Sequence, residues 1–146
     1  AIDEIRKLSH RLAPASFDNT TFTDAVHEMI KSFNVNNRFQ FRVNIDESIN
    51  HGISSNIQLN FYRVLQEQLN NILRHSRAKM VEISIYHKIN SVTMRIYDNG
   101  KGFDPAAIRS GIGLNNIRKR VESFSGTFNL QAQKGQGCEL LIDIPI

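Results

Sequence analysis

Four groups of residues have types and spacings that could do chemistry. The first is Glu67, Asn71, Arg74 and His75. At about 100° per residue of α-helix, these four fall within an arc of roughly 100° on one face. A carboxylate, an amide oxygen, a guanidinium and an imidazole aligned in this way suit a polyphosphate that carries a metal. The amide oxygen is a ligand for a hard cation such as Mg²⁺. The two cationic groups can meet phosphate oxygens, and the carboxylate can act as a base. The same stripe also reads as a solvated helix face.

The second group is Asp98-Asn99-Gly100-Lys101-Gly102-Phe103, directly after an alternating apolar stretch. Its two glycines let backbone approach a planar ligand, and Asp98 sits at a strand end where its carboxylate can accept a hydrogen bond. Asp-Asn-Gly is equally a turn signal. The third group, Gly111-Ile112-Gly113-Leu114, opens a helical pattern, where backbone N–H groups form a phosphate cradle. It is not a full dinucleotide fingerprint, because Asn116 stands where the last glycine would fall, and it has no Walker lysine. The fourth is Gly135-Gln136-Gly137, which on its own is an ordinary hairpin turn.

Apolar periodicity supplies the elements that must carry these groups. Ile2, Ile5, Leu8 and Leu12 recur at helical spacing until Pro14. They read as the tail of a longer helix, and the chain, which opens at Ala1 inside that pattern, as a piece of something longer. Thr21-Phe22-Thr23-Asp24 fits a capping box ahead of a helix through Phe22, Val26, Ile30 and Phe33. Phe39, Phe41, Val43 and Ile45 alternate as a strand with one buried face, and polar residues 46–54 read as a loop. A helix capped by Ser54 or Ser55 should then run to about His75. Strands follow over Val81–Ile85 and Val92–Ile96, with a loop from Asp98 to Ser110. A helix through Leu114, Ile117, Val121 and Phe124 ends at Gly126, a suitable C-terminal cap. A hairpin over Phe128–Ala132 and Leu140–Ile144 completes the chain. Paired strands, with helices enough to cover one face only, predict a two-layer α+β sandwich rather than a doubly wound sheet.

Composition narrows the class. A chain of 146 residues is one domain, two at most. Its 40 % hydrophobic and 22 % charged content excludes whole-chain disorder. The net charge of +4 admits an anionic ligand without demanding nucleic acid. One cysteine, Cys138, excludes an internal disulfide and a cysteine-based zinc site, and fits a reducing, cytoplasmic setting. The chain has no run of the ~18 apolar residues a membrane helix needs and no signal-peptide pattern.

Taken in order, E-x-x-x-N-x-x-x-H, D-N-G-x-G-F, G-x-G-L and G-x-G before a last strand resemble the N box and the three glycine boxes of the Bergerat-fold ATPases. The resemblance covers about Phe22 to Ile146. Within that group the chain looks most like the catalytic domain of a sensor histidine kinase of the nitrate-sensor and lipid-desaturation-sensor branch. The run Gln66–Ala78 is similar to that branch, and Glu4–Leu12 resembles the end of its dimerisation helix. The seven residues between Phe103 and Gly111 match its short ATP lid.

The resemblance implies a mixed sheet of about five strands with three helices on one face. Residues 1–14 would be the dimerisation-helix tail and 15–146 the ATP-binding catalytic domain. Asn71 would ligate Mg²⁺ on the triphosphate, and Glu67 would be the catalytic carboxylate. Arg74 and His75 would contact phosphate. Asp98 would accept from the adenine amine, with Gly100 and Gly102 letting backbone lie against the base. Gly111, Gly113 and Leu114 would form the lid-to-helix phosphate turn, and Gly137 the third glycine box. The family usually carries Thr where this chain has Cys138, whose thiol is a poor donor. The implied cofactors are ATP and Mg²⁺. The implied partners are a histidine-bearing dimerisation domain in a homodimer and the receiver domain of a response regulator. His10 lies in the helix tail and is not the phosphoacceptor. The parent protein could be membrane-anchored, with this part cytoplasmic. Two rival readings are an ATPase or anti-sigma serine kinase of the same fold, and a nucleic-acid binder using Arg109, Arg118, Lys119 and Arg120. A solvated helix face accounts for that second basic group, and no nucleic-acid partner is expected.

Overall fold

The structure is a computed structural model that describes residues 17, 19–102 and 112–146. The expected helix tail over 2–12, Gly111 and the lid after Gly102 lie outside the described residues. The order is α1 (Phe22–Phe33), β1 (Gln40–Ile45), α2 (Ile49–Gly52), α3 (Ser55–Asn71), a π turn (Ile72–Ser76), β2 (Met80–His87), β3 (Ser91–Asp98), α4 (Ile112–Glu122), β4 (Thr127–Ala132) and β5 (Cys138–Pro145).

The strands form one five-stranded sheet in the order β1-β2-β3-β5-β4. β1 and β2 run parallel, joined through α2, α3 and the π turn, and every other pair is antiparallel. Strand alternation sets the two faces. Val81, Ile83 and Ile85, with Met94, Ile96, Leu140 and Ile142, point to the core and are fully buried. Phe22, Val26, Phe61, Leu65, Ile117 and Val121 meet them from the helices. Each such side chain stabilises the fold by about 1.5–3 kcal/mol relative to exposure. The other face is polar. There Arg95 bonds Glu139 at 2.9 Å and Glu82 at 3.3 Å, tying β2, β3 and β5. Half-exposed pairs of this kind contribute at most about 1 kcal/mol each. The expected α+β sandwich, with its mixed sheet, is the observed architecture.

Three local differences have physical causes. The polar stretch 46–54 contains the single turn of α2, because Ile49 and Ile53 drop into the core beneath it. The left-handed residue after α4 is Ser125, at φ 58°, while Gly126 donates its N–H to the Val121 carbonyl at 3.0 Å. A side chain at 126 would crowd the Asp143 carbonyl, which accounts for the glycine. The helix expected to reach His75 is α-helical only to Asn71 and then widens into the π turn.

Candidate functional site

α3 starts where Ser54 accepts the Ile57 N–H, and its apolar stripe of Phe61, Val64, Leu65 and Leu69 is buried on the sheet. That anchoring brings Glu67 and Asn71, both half-buried, to the domain edge. Asn71 Nδ2 donates to Gln68 Oε1 at 3.4 Å, which engages the amide nitrogen and not its oxygen. Arg74 and His75 follow on the π turn and are exposed. A π turn spaces residues more widely than an α turn. Ideal α-helical spacing therefore applies directly only up to Asn71, and the π turn sets where Arg74 and His75 stand.

Asp98 closes β3 with a side chain only 1 % exposed. Its Oδ1 accepts the Gly100 N–H at 2.9 Å. Burial pushes its pKa above the ordinary carboxylate value, and the Gly100 hydrogen bond opposes that rise. Asn99 has a role the sequence reading missed. Its Oδ1 accepts the N–H groups of Lys79 and Met80 at 3.0 and 2.9 Å, pinning the loop to the start of β2. The Asp-Asn-Gly turn signal marked the loop but not this contact, which joins residues 19 and 20 positions apart in sequence.

The glycines answer to the protein's own backbone. A Cβ at Gly100 would overlap the Ser76 carbonyl and side chain. One at Gly102, at φ +62°, would strike the Gln133 carbonyl, and one at Gly137, at φ +85°, the Asp98 carbonyl. The expectation that Gly100 and Gly102 spare room for a planar ligand thus gains a second cause, closure of two loops on each other. Lys101 is the centre of that closure. Its N–H donates to the Ser76 carbonyl at 2.8 Å, and its carbonyl accepts the Gly135 N–H. The end of the α3–π segment, the Asp98–Gly102 loop and the 133–137 hairpin are joined there by backbone bonds.

Cys138 lies opposite Asp98 in the β3–β5 ladder and is buried. Burial, with the Asp98 and Glu139 carboxylates, pushes its thiol up to about 12, so the group is a neutral thiol at physiological pH. Gly113 and Leu114 lie in the first turn of α4, and Leu114 packs on the core. α4 runs along α3, where Asn60 Nδ2 holds the Arg120 carbonyl at 2.9 Å. Asn71, Asp98, Gly113 and Gly137 therefore sit on directly contacting elements.

Among the described residues no three His, Cys, Asp or Glu side chains gather as a metal cage. A cation held by the Asn71 oxygen must draw further ligands from phosphate oxygens and water, the habit of Mg²⁺ on nucleotides. The donor set thus fits a nucleotide-borne metal. A helix bearing a half-buried Asn, a buried Asp–Gly loop tied to the end of that helical segment through Ser76, and a mixed sheet beneath them are parts that suit a nucleotide-binding domain.

Comparison with known proteins gives the family. Residues 56–146 match the family described as histidine kinase-, DNA gyrase B-, and HSP90-like ATPase, and the chain belongs to it. It is 31 % identical over 150 residues to the oxygen sensor histidine kinase NreB of Staphylococcus carnosus, covering 99 % of this chain and 42 % of that protein. It is 26 % identical over 147 residues to the sensor histidine kinase LiaS of Bacillus subtilis, covering 100 % of this chain and 40 % of that protein. The chain thus spans about two-fifths of the length of these relatives. In fold it is similar to the histidine kinase domain of the Erythrobacter litoralis EL346 blue-light activated kinase. The TM-score is 0.72 at 18 % identity, over 92 % of this chain and 65 % of that one. No helix among the described residues is long and apolar enough to cross a membrane.

Proposed function

We propose that this chain is the ATP-binding catalytic domain of a two-component sensor kinase, passing the γ-phosphoryl of Mg²⁺–ATP to a histidine on a dimerisation domain. The sensor kinases that match it across its whole length support this reading most directly. Asp98 accepts a hydrogen bond from the adenine amine, a buried carboxylate suited to one amine donor. Asn71 would hold Mg²⁺ through its amide oxygen, and the metal would supply charge neutralisation for the triphosphate. Arg74 and His75 hold phosphate oxygens, and the turn of Gly111, Gly113 and Leu114 supplies N–H donors at the start of α4. Glu67 polarises the incoming acceptor. Phosphoryl transfer asks little covalent work of side chains, so positioning and charge neutralisation carry the rate.

In this reading the histidine lies on a dimerisation domain of a homodimer, a receiver-domain aspartate then takes the phosphoryl group, and the domain works in the cytoplasm. The chain alone is expected to bind ATP without labelling itself, because transfer needs an acceptor held in line with the γ-phosphate and that histidine is assigned to the dimerisation domain. Radiolabelled ATP tests this with the chain alone and with a partner kinase's dimerisation helices added. Acid-labile label on the added helices, dependent on Asn71, is the expected result. Acid-labile label on the chain alone contradicts it.

A further inference from the structure

Ser76 ends the π turn and touches both halves of the site. Its Oγ donates to the Ile72 carbonyl at 2.8 Å, four residues back, and accepts the Ala78 N–H at 3.0 Å. Its own carbonyl accepts the Lys101 N–H at 2.8 Å. Its carbonyl and Cβ occupy the space a side chain at Gly100 would need. Arg77 then turns the chain into the left-handed region at φ 53°. Helices with a serine bonded back to the fourth carbonyl often bend there, and π turns are rare and found mostly at functional sites.

We propose that Ser76 is a positioning residue of the nucleotide site. Its hydroxyl holds the turn wide at Ile72, and the width fixes where Arg74 and His75 stand relative to the Asp98–Gly102 loop. This rests on the nucleotide-binding reading above. Without the hydroxyl, the Ile72 carbonyl and the Ala78 N–H each lose a partner, and the turn is free to tighten toward α-helix. Arg74 and His75 then rotate away, while Asp98 and Gly100 keep bonds that do not involve the hydroxyl. The loss should fall on the phosphates and spare the base.

The test is calorimetric titration of wild type, Ser76→Ala and Ser76→Thr with Mg²⁺–ATP and with adenosine, with folding checked by circular dichroism and thermal melting. For Ser76→Ala, Mg²⁺–ATP affinity should fall about 5- to 30-fold, the scale of one or two hydrogen bonds, with adenosine within about 2-fold of wild type. Ser76→Thr keeps the hydroxyl and should restore most of the Mg²⁺–ATP affinity. Equal losses for both ligands, an Ala variant that binds like wild type, or a Thr variant as weak as Ala would overturn the assignment while leaving the nucleotide site in place. A wild-type chain that binds neither ligand would remove that reading itself.

Discussion

Asp98 and Asn71 stand on elements that touch, yet their surroundings differ. Around Asp98 the carboxylate, Gly100 and Gly137 are all buried. The loop is pinned by backbone bonds through Lys101 to Ser76 and Gly135, and by Asn99 to the start of β2. Around Asn71 the one side-chain bond among the described residues is a long 3.4 Å, and Arg74 and His75 are exposed. The first region is set before any ligand arrives. In the proposed site the second holds side chains that would lose freedom on binding, each at about 0.5–1.5 kcal/mol. On the proposed reading, one side of the site would confer shape and the other would respond to charge.

The most damaging way to break that contrast is to spoil the pinned side. Gly137→Ala forces a Cβ onto the Asp98 carbonyl at φ +85°. Left-handed strain and the clash together should cost about 3 kcal/mol, lowering the melting midpoint by roughly 10 °C. Gly135 has a similar φ of +83° with open space around it. Gly135→Asn should cost under about 1 kcal/mol, because Asn tolerates the left-handed region. Melting curves of the two variants compare them directly, and equal shifts would mean that contact with Asp98 is not what demands glycine.

A smaller effect concerns pH. Burial raises the Asp98 pKa in the folded chain above its unfolded value near 3.8. The folded state then holds that proton more tightly. Stability from this group is full below the unfolded pKa and is lost as pH rises through the folded one. Asp98→Asn carries no such loss. The stability difference between variant and wild type should move in the variant's favour from about pH 4 to about pH 7, measured by urea melts at each. A difference constant across that range would contradict the buried carboxylate.

The smallest effect is chemical. Cys138 should resist maleimide in the folded chain and react once urea unfolds it, since the thiolate is the reactive form. Rapid labelling of the native protein would mean the strand pair around Asp98 opens readily.

What the sequence revealed follows the same division. Strand alternation at Val81–Ile85 and Val92–Ile96 and the stripe of α3 exposed the sandwich, because burial on one face leaves a periodic trace. The glycine groups were visible because left-handed and crowded backbone selects glycine. α2 was not visible, since Ile49 and Ile53 are too few to show a period. The π turn left no trace either, because one extra residue in a turn needs no particular composition. Its signal is the Ser76 hydroxyl bond, which only the fold reveals. Asn99 lay within a recognised turn, but its reach to β2 is a tertiary contact.

The central claim is that base and phosphate are held by separable regions. It is tested by titrating adenosine and Mg²⁺–ATP into Asp98→Asn and Asn71→Leu. Asp98→Asn loses a charge-assisted hydrogen bond of about 1.5–3 kcal/mol and should weaken both ligands about 10- to 150-fold. Asn71→Leu should bind adenosine like wild type and Mg²⁺–ATP about tenfold more weakly, with the difference vanishing when the metal is chelated. An Asn71→Leu variant that holds Mg²⁺–ATP as tightly as wild type, or an Asp98→Asn variant that holds adenosine as tightly, would contradict the account.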